Sequence, residues 1–302
     1  MSLLNIFANN LLPILLLSGA GFALGRVLTL DSRPLGRVIF FILSPVLIFN
    51  LLTSSKLVVG TIVLLMGYAA SVMGLTAGIA YVLGRFFHLE RPLLTVVVLT
   101  SLFSNNGNYG LPLISFAFGQ EALAYASIYF VTNSVMLYTI GVLIASLGHL
   151  RLKEALLGLL KVPAIYAVIL AVIFIRTGWV LPVPIQRTVT LAAGGAVPAM
   201  IILLGLELQK VEWTHNVRAL SIPVICRLLI GPVIGLLLAA LFGLKDTNRK
   251  AGITQAGMPS AVMTTILANE YKLDTSLVTA IIFVSTILSP LTLTPLLFFL
   301  DR

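Results

Sequence analysis

Apolar residues run through this chain in long blocks, broken by short clusters of charge, proline and glycine. About 20 consecutive apolar residues are enough for a helix to cross the hydrocarbon of a bilayer. Blocks of that kind occur at residues 4–28, 35–53, 57–87, 92–118 and 122–147, and again at 155–175, 183–208, 217–242, 250–269 and 276–300. A short polar segment, 148–154, separates the two sets. The pattern predicts an all-α polytopic membrane protein with ten transmembrane helices.

The punctuation of the first set recurs in the second. Pro13 and Pro163 are 150 positions apart, Pro45 and Pro198 are 153 apart, and Pro112 and Pro259 are 147 apart. Such offsets point to an internal duplication, with repeats at 1–147 and 155–302 joined by the link 148–154. Five helices per repeat is an odd number, so the second copy enters the membrane from the opposite side. That is the inverted-repeat plan of many secondary transporters.

Composition agrees with a membrane protein. Of the 302 residues, 59% are hydrophobic and 10% charged, and mean hydropathy is +1.09. A soluble domain carries roughly a quarter charged residues. The net charge of +9 does not indicate nucleic acid, because no Lys/Arg-rich run with interleaved aromatics occurs and basic residues are normal at membrane-helix ends. With the N-terminus outside, inner loops hold eleven Lys and Arg and outer segments seven, Arg227 being left inside an apolar block. This predicts a multi-pass protein of a cell membrane with both termini outside. The first basic residue, Arg26, lies at the far end of the first block, so that block reads as a retained helix and not a cleaved signal. The single cysteine, Cys226, allows no internal disulfide.

Two of the blocks contain residues unsuited to a continuous lipid-facing helix. The fourth reads Ser104-Asn105-Asn106-Gly107-Asn108-Tyr109-Gly110-Leu111-Pro112, and the ninth reads Gln255-Ala256-Gly257-Met258-Pro259. Both end in a carboxamide, any residue, glycine, an apolar residue and proline. Backbone groups freed by such breaks cost several kcal/mol each, by order of magnitude, in hydrocarbon, so the breaks must be buried in protein or line a hydrated cavity. Paired interruptions at matching places in two repeats point to a transport site. Pro112 and Pro259 are expected to begin second half-helices whose first amides favour a carboxylate. Candidate substrate-binding residues are Asn105, Asn106, Asn108, Tyr109, Gly110, Gln255, Gly257 and Ser260, with Pro112 and Pro259 at the crossing. The plain alternative is a pair of proline kinks whose amides bond across helices. Arg227 fits two roles, bonding backbone carbonyls or contacting substrate.

These motifs, with the continuation Leu113 after the first and Ala268-Asn269-Glu270-Tyr271 after the second, resemble the auxin efflux carrier family, which includes plant auxin carriers and bacterial malate or malonate permeases. The likeness covers nearly the whole chain. It implies scaffold helices 1, 2, 6 and 7, transport helices 3–5 and 8–10, a homodimer formed through the scaffold, and a carboxylate-binding amide at Asn105. The family's plant members have a long hydrophilic loop between halves, where this chain has only 148–154.

The function expected is carriage of a small organic anion, such as malate, malonate or an auxin-like acid, by an elevator-type movement about the crossing. Coupling to Na⁺ through neutral oxygens is an alternative, and a receptor or channel stays open. An intramembrane enzyme is disfavoured: His88, His149 and His215 fall between blocks, and no two acids lie together inside one. No metal site or cofactor is expected.

Overall fold

The computed structural model describes residues 2–55, 57–146, 160–214 and 216–301. The expected link at 148–154, the start of the block expected at 155–175, and His149 and His215 lie outside the described residues.

In chain order the helices are α1 (Leu3–Leu28), α2 (Arg33–Ser54), α3 (Val59–Phe86), α4 (Arg91–Leu102), α5 (Asn106–Ala145), α6 (Pro163–Thr177), α7 (Val183–Leu208), α8 (Val217–Leu241), α9 (Asp246–Ala256), α10 (Thr264–Glu270) and α11 (Thr275–Leu300). Among the described residues, seven of these are long and apolar enough to cross a membrane: α1, α2, α3, α5, α7, α8 and α11. The expected fourth block is split between α4 and the start of α5, and the expected ninth between α9 and α10. Within α5 the chain turns at Gly119, whose φ of 77° suits a residue without a Cβ. That turn lies between the blocks expected to end at 118 and to begin at 122.

Proline shapes these helices through a recurring device. A ring at position i removes one N–H and collides with the carbonyl four residues back. Pro13, Pro45, Pro112 and Pro232 each follow a five-residue π-turn, at Phe7–Leu11, Ile39–Leu43, Asn106–Gly110 and Cys226–Ile230. In each the residue just before proline bonds five back, as Leu12 does to the Phe7 carbonyl and Leu111 to the Asn106 carbonyl. The wider turn makes room for the ring while the chain stays helical.

Helices α1, α2, α6 and α7 pack on one another, α1 along α7 and α2 along both α6 and α7. A second group forms where α3 meets α4, α5 and α8, and α9 lies against α5 and α8. The α1–α7 seam is close because its residues are small: a Cβ on Gly205 would collide with the Ser18 carbonyl oxygen, and one on Gly21 would lie 2.5 Å from the Ile202 carbonyl oxygen. Outward faces carry exposed Leu16, Val27, Phe41, Val82, Leu191, Leu237 and Leu241. In water such a belt would drive aggregation, and in a bilayer it meets lipid tails.

Candidate functional site

Each of the two interrupted helices loses its α geometry for a few residues, and the two gaps lie against each other. After α4, Phe103 is extended and Asn105 is non-helical, with φ −76° and ψ 57°. After α9 the chain stays irregular from Gly257 until α10 begins at Thr264. Ser104 and Ser260 form an isolated antiparallel bridge. The Asn105 N–H donates to the Pro259 carbonyl at 2.7 Å, and the Ala261 N–H donates to the Phe103 carbonyl at 3.0 Å. Each gap therefore satisfies backbone groups of the other, as irregular backbone inside a membrane requires.

The restart points differ from the expectation. Helix geometry resumes at Asn106, before Pro112, and after Pro259 it resumes only at Thr264. Pro112 lies in the first turn of the α-helical segment that follows the π-turn, away from the bridge, whereas Pro259 takes part in the crossing. The reason is the π register, which lets the chain become helical ahead of the ring instead of at it.

The expected polar residues divide into bonded and unbonded groups. Asn106 is fully buried. Its Nδ2 donates to Gln255 Oε1 at 2.7 Å and to the Gln255 carbonyl at 3.0 Å, while its Oδ1 accepts from Ser104 Oγ at 2.7 Å. Gln255, also fully buried, returns Nε2 bonds to the Asn106 and Ala126 carbonyls, both at 3.3 Å. These two amides staple the gaps together. Ser260 is likewise engaged, its hydroxyl donating to the Thr100 carbonyl at 2.9 Å and its N–H to Ser285 Oγ at 3.2 Å. The Tyr109 and Ser289 hydroxyls are in hydrogen-bond contact at 3.1 Å.

Asn105 is different. It is 4% exposed, stands just before the restarted helix without capping it through its side chain, and its Nδ2 has no hydrogen-bond partner. Asn108 is half-buried. Gly110 allows contact, since a Cβ there would collide with Gln255 Oε1, and at Gly257 a Cβ would lie 3.1 Å from the Leu296 side chain.

Two further buried polar side chains, Arg227 and Asn133, bond backbone at the crossing. Arg227 is fully buried and bonds three backbone carbonyls: Nε to Met258 at 3.1 Å, one terminal nitrogen to Ser101 at 3.3 Å and the other to Ala256 at 3.0 Å. Asn133 is buried, and its Oδ1 accepts from the Ser104 N–H at 3.4 Å. A charge inside an apolar block was the available signal for Arg227, and a carboxamide between Thr132 and Ser134 for Asn133; which carbonyl or amide each meets depends on the packing of other helices.

Beside the second gap, Glu207, Lys210, Val262, Thr265, Thr279 and Phe283 line a cavity. At its edge Glu207 accepts from the Ser32 hydroxyl and lies 3.6 Å from Lys210 Nζ, which is 3.7 Å from Asp31. Among the described residues no group of three or more His, Cys, Asp and Glu could hold a metal ion.

The chain matches the family described as membrane transport protein over residues 6–297. It is 30% identical to an uncharacterized transporter of Methanothermobacter thermautotrophicus, over 86% of each chain. It is 29% identical to an uncharacterized transporter of Methanocaldococcus jannaschii, over 70% of each chain. Auxin efflux carrier component 8 of Arabidopsis thaliana is 29% identical over 43% of this chain and 38% of its own length. With its series of apolar helices, this multi-pass membrane protein belongs to the membrane transport protein family, the family of the auxin efflux carriers.

Proposed function

We propose that the protein carries a small organic anion with a carboxylate group, such as malate, malonate or an auxin-like acid, and that the carboxylate binds at the crossing of the two interrupted helices. The observation that carries this reading is the Asn105 amide: a buried donor with no partner, at the crossing, just before a restarted helix. An unmade hydrogen bond on a buried polar group costs about 1–3 kcal/mol, so a site that keeps one gains that much when an acceptor arrives. A carboxylate is a strong acceptor, and the first amides of α5, which lack acceptors within their own helix, favour the same charge.

The mechanism follows from burial. A ligand bonded to a residue 4% exposed reaches water only if the surrounding helices move. Helices α1, α2, α6 and α7 pack chiefly on one another, with α7 also against Asn106–Gly110 of α5, and this supports a scaffold bearing on a moving body, in an elevator-type cycle. On this reading the chain passes the membrane ten times in two inverted repeats, with each interrupted helix counted as one pass. The Asn106–Gln255 staple holds the two gaps in register, and Asn105 contacts the cargo. A homodimer through the scaffold fits the same division.

The test is direct binding of mono- and dicarboxylates to purified wild type and Asn105→Ala. A lost hydrogen bond to a charged group costs about 1.5–3 kcal/mol, roughly 10-fold to 150-fold in affinity. The unfolding temperature should stay at the wild-type value, because the Nδ2 group has no partner in the protein to lose. Unchanged affinity in a folded Asn105→Ala protein would place the site elsewhere.

A further inference from the structure

The carbonyl ends of two helices converge on the crossing. In any helix the last four carbonyls lack partners inside the helix and carry about half a negative charge between them. The end of α4 contributes the Ser101 carbonyl, and the end of α9 contributes Ala256 and, just beyond, Met258. Left bare, these two ends would give the crossing roughly one full negative charge, enough to attract a cation and repel a carboxylate.

Arg227 reaches all three carbonyls from α8. It is fully buried, and no acidic residue is among its hydrogen-bond or ion-pair partners in the described part of the chain. One guanidinium charge is the size needed to offset two helix ends. The bonded carbonyls are also close to the binding amide, since Met258 precedes Pro259, whose carbonyl accepts from the Asn105 N–H.

We propose that Arg227 is a positioning residue for anion selectivity, neutralising the carbonyl ends of α4 and α9 so that the crossing accepts a carboxylate. This rests on the carboxylate reading of the crossing given above. Arg227 touches no substrate in this scheme; it acts through the two helix ends, and the cargo meets Asn105 and the amides of α5.

The experiment compares a carboxylate with its uncharged primary amide, which has nearly the same shape. Affinities for malonate against malonamide, and phenylacetate against phenylacetamide, are measured on wild type, Arg227→Gln and Arg227→Lys by competition in proteoliposome flux. A merely structural role would weaken both members of a pair alike. The charge role predicts that Arg227→Gln lowers the carboxylate-to-amide ratio by about 30-fold, the size of a strong, partly buried helix-end interaction, and that Arg227→Lys keeps the ratio within a few-fold of wild type. A ratio unchanged in Arg227→Gln would overturn the proposal while leaving carboxylate binding intact. If Arg227→Gln does not fold, the uncharged Arg227→Met takes its place, a lowered ratio supporting the proposal and an unchanged one overturning it. Failure of both variants to fold would also overturn it, by assigning Arg227 to the fold. A wild type that binds no carboxylate would instead sink the reading on which the proposal rests.

Discussion

At the scale of single residues, similar amides at the crossing carry different duties. Asn106 and Gln255 exchange side-chain and backbone bonds across the two gaps, whereas the Asn105 Nδ2 donates to nothing. Their substitutions should separate accordingly. Gln255→Ala removes the Oε1 acceptor of Asn106 Nδ2 and the Nε2 donor to the Asn106 and Ala126 carbonyls, leaving Asn106 Nδ2 only the Gln255 backbone carbonyl, at a cost of about 1–3 kcal/mol. Thermal unfolding in detergent should therefore show a clear drop for Gln255→Ala and for Asn106→Ala, and none for Asn105→Ala. Equal unfolding temperatures for Gln255→Ala and wild type would mean that the staple does not hold the gaps. The carboxamides are visible in the sequence, but their pairing is not, because the partners are 149 positions apart.

At the scale of helices, the clearest constraint is the seam between α1 and α7. Ser18, Gly21 and Gly25 recur along one face of α1 and face α7, where Gly205 meets the Ser18 carbonyl. Close backbone approach of this kind supplies van der Waals contact where no hydrophobic force acts between helices. Adding a methyl group at Gly205 forces the helices apart, because the obstacle is backbone and not a side chain that can rotate. Overpacking of this kind costs roughly 1–3 kcal/mol. Gly205→Ala should lower the unfolding temperature, while Gly194→Ala, on the same helix with open space around it, should leave it unchanged or raise it. A Gly205→Ala protein as stable as Gly194→Ala would show that the seam is looser than its geometry implies.

At the scale of the whole molecule, the question is what drives transport. A proton-driven carrier keeps an acid or histidine at membrane depth to load and release its proton. Here Glu207, which lines the cavity beside the second gap, is hydrogen-bonded by Ser32 and ion-paired with Lys210. Glu121 is exposed just past the Gly119 turn. With no free acid beside the crossing among the described residues, flux should follow the membrane potential, which contributes about 2.3 kcal/mol per charge per 100 mV. Proteoliposomes with a K⁺/valinomycin potential should accumulate the anion, and Glu207→Gln should keep that response. Accumulation under a pH gradient alone, abolished in Glu207→Gln, would overturn this and make Glu207 a relay.

Some of this was legible without coordinates, because it depends on local chemistry and the solvent. A chain this apolar has only a bilayer to fold in, and helices must satisfy their own backbone there. Asn105, Asn106, Pro112, Gln255 and Pro259 stand out because carboxamides and prolines disrupt an apolar block wherever it folds. Only the tertiary structure decided which amide is used up and which is free, that helix geometry returns at Asn106 ahead of Pro112, and that Arg227 ends on the carbonyls of Ser101, Ala256 and Met258. A hydrogen-bond partner is a position in space, and several of the partners here, such as Gln255 for Asn106 and Ser101 for Arg227, come from helices more than a hundred residues apart. Composition can demand that a buried charge or amide be satisfied. The packing of those helices determines by what.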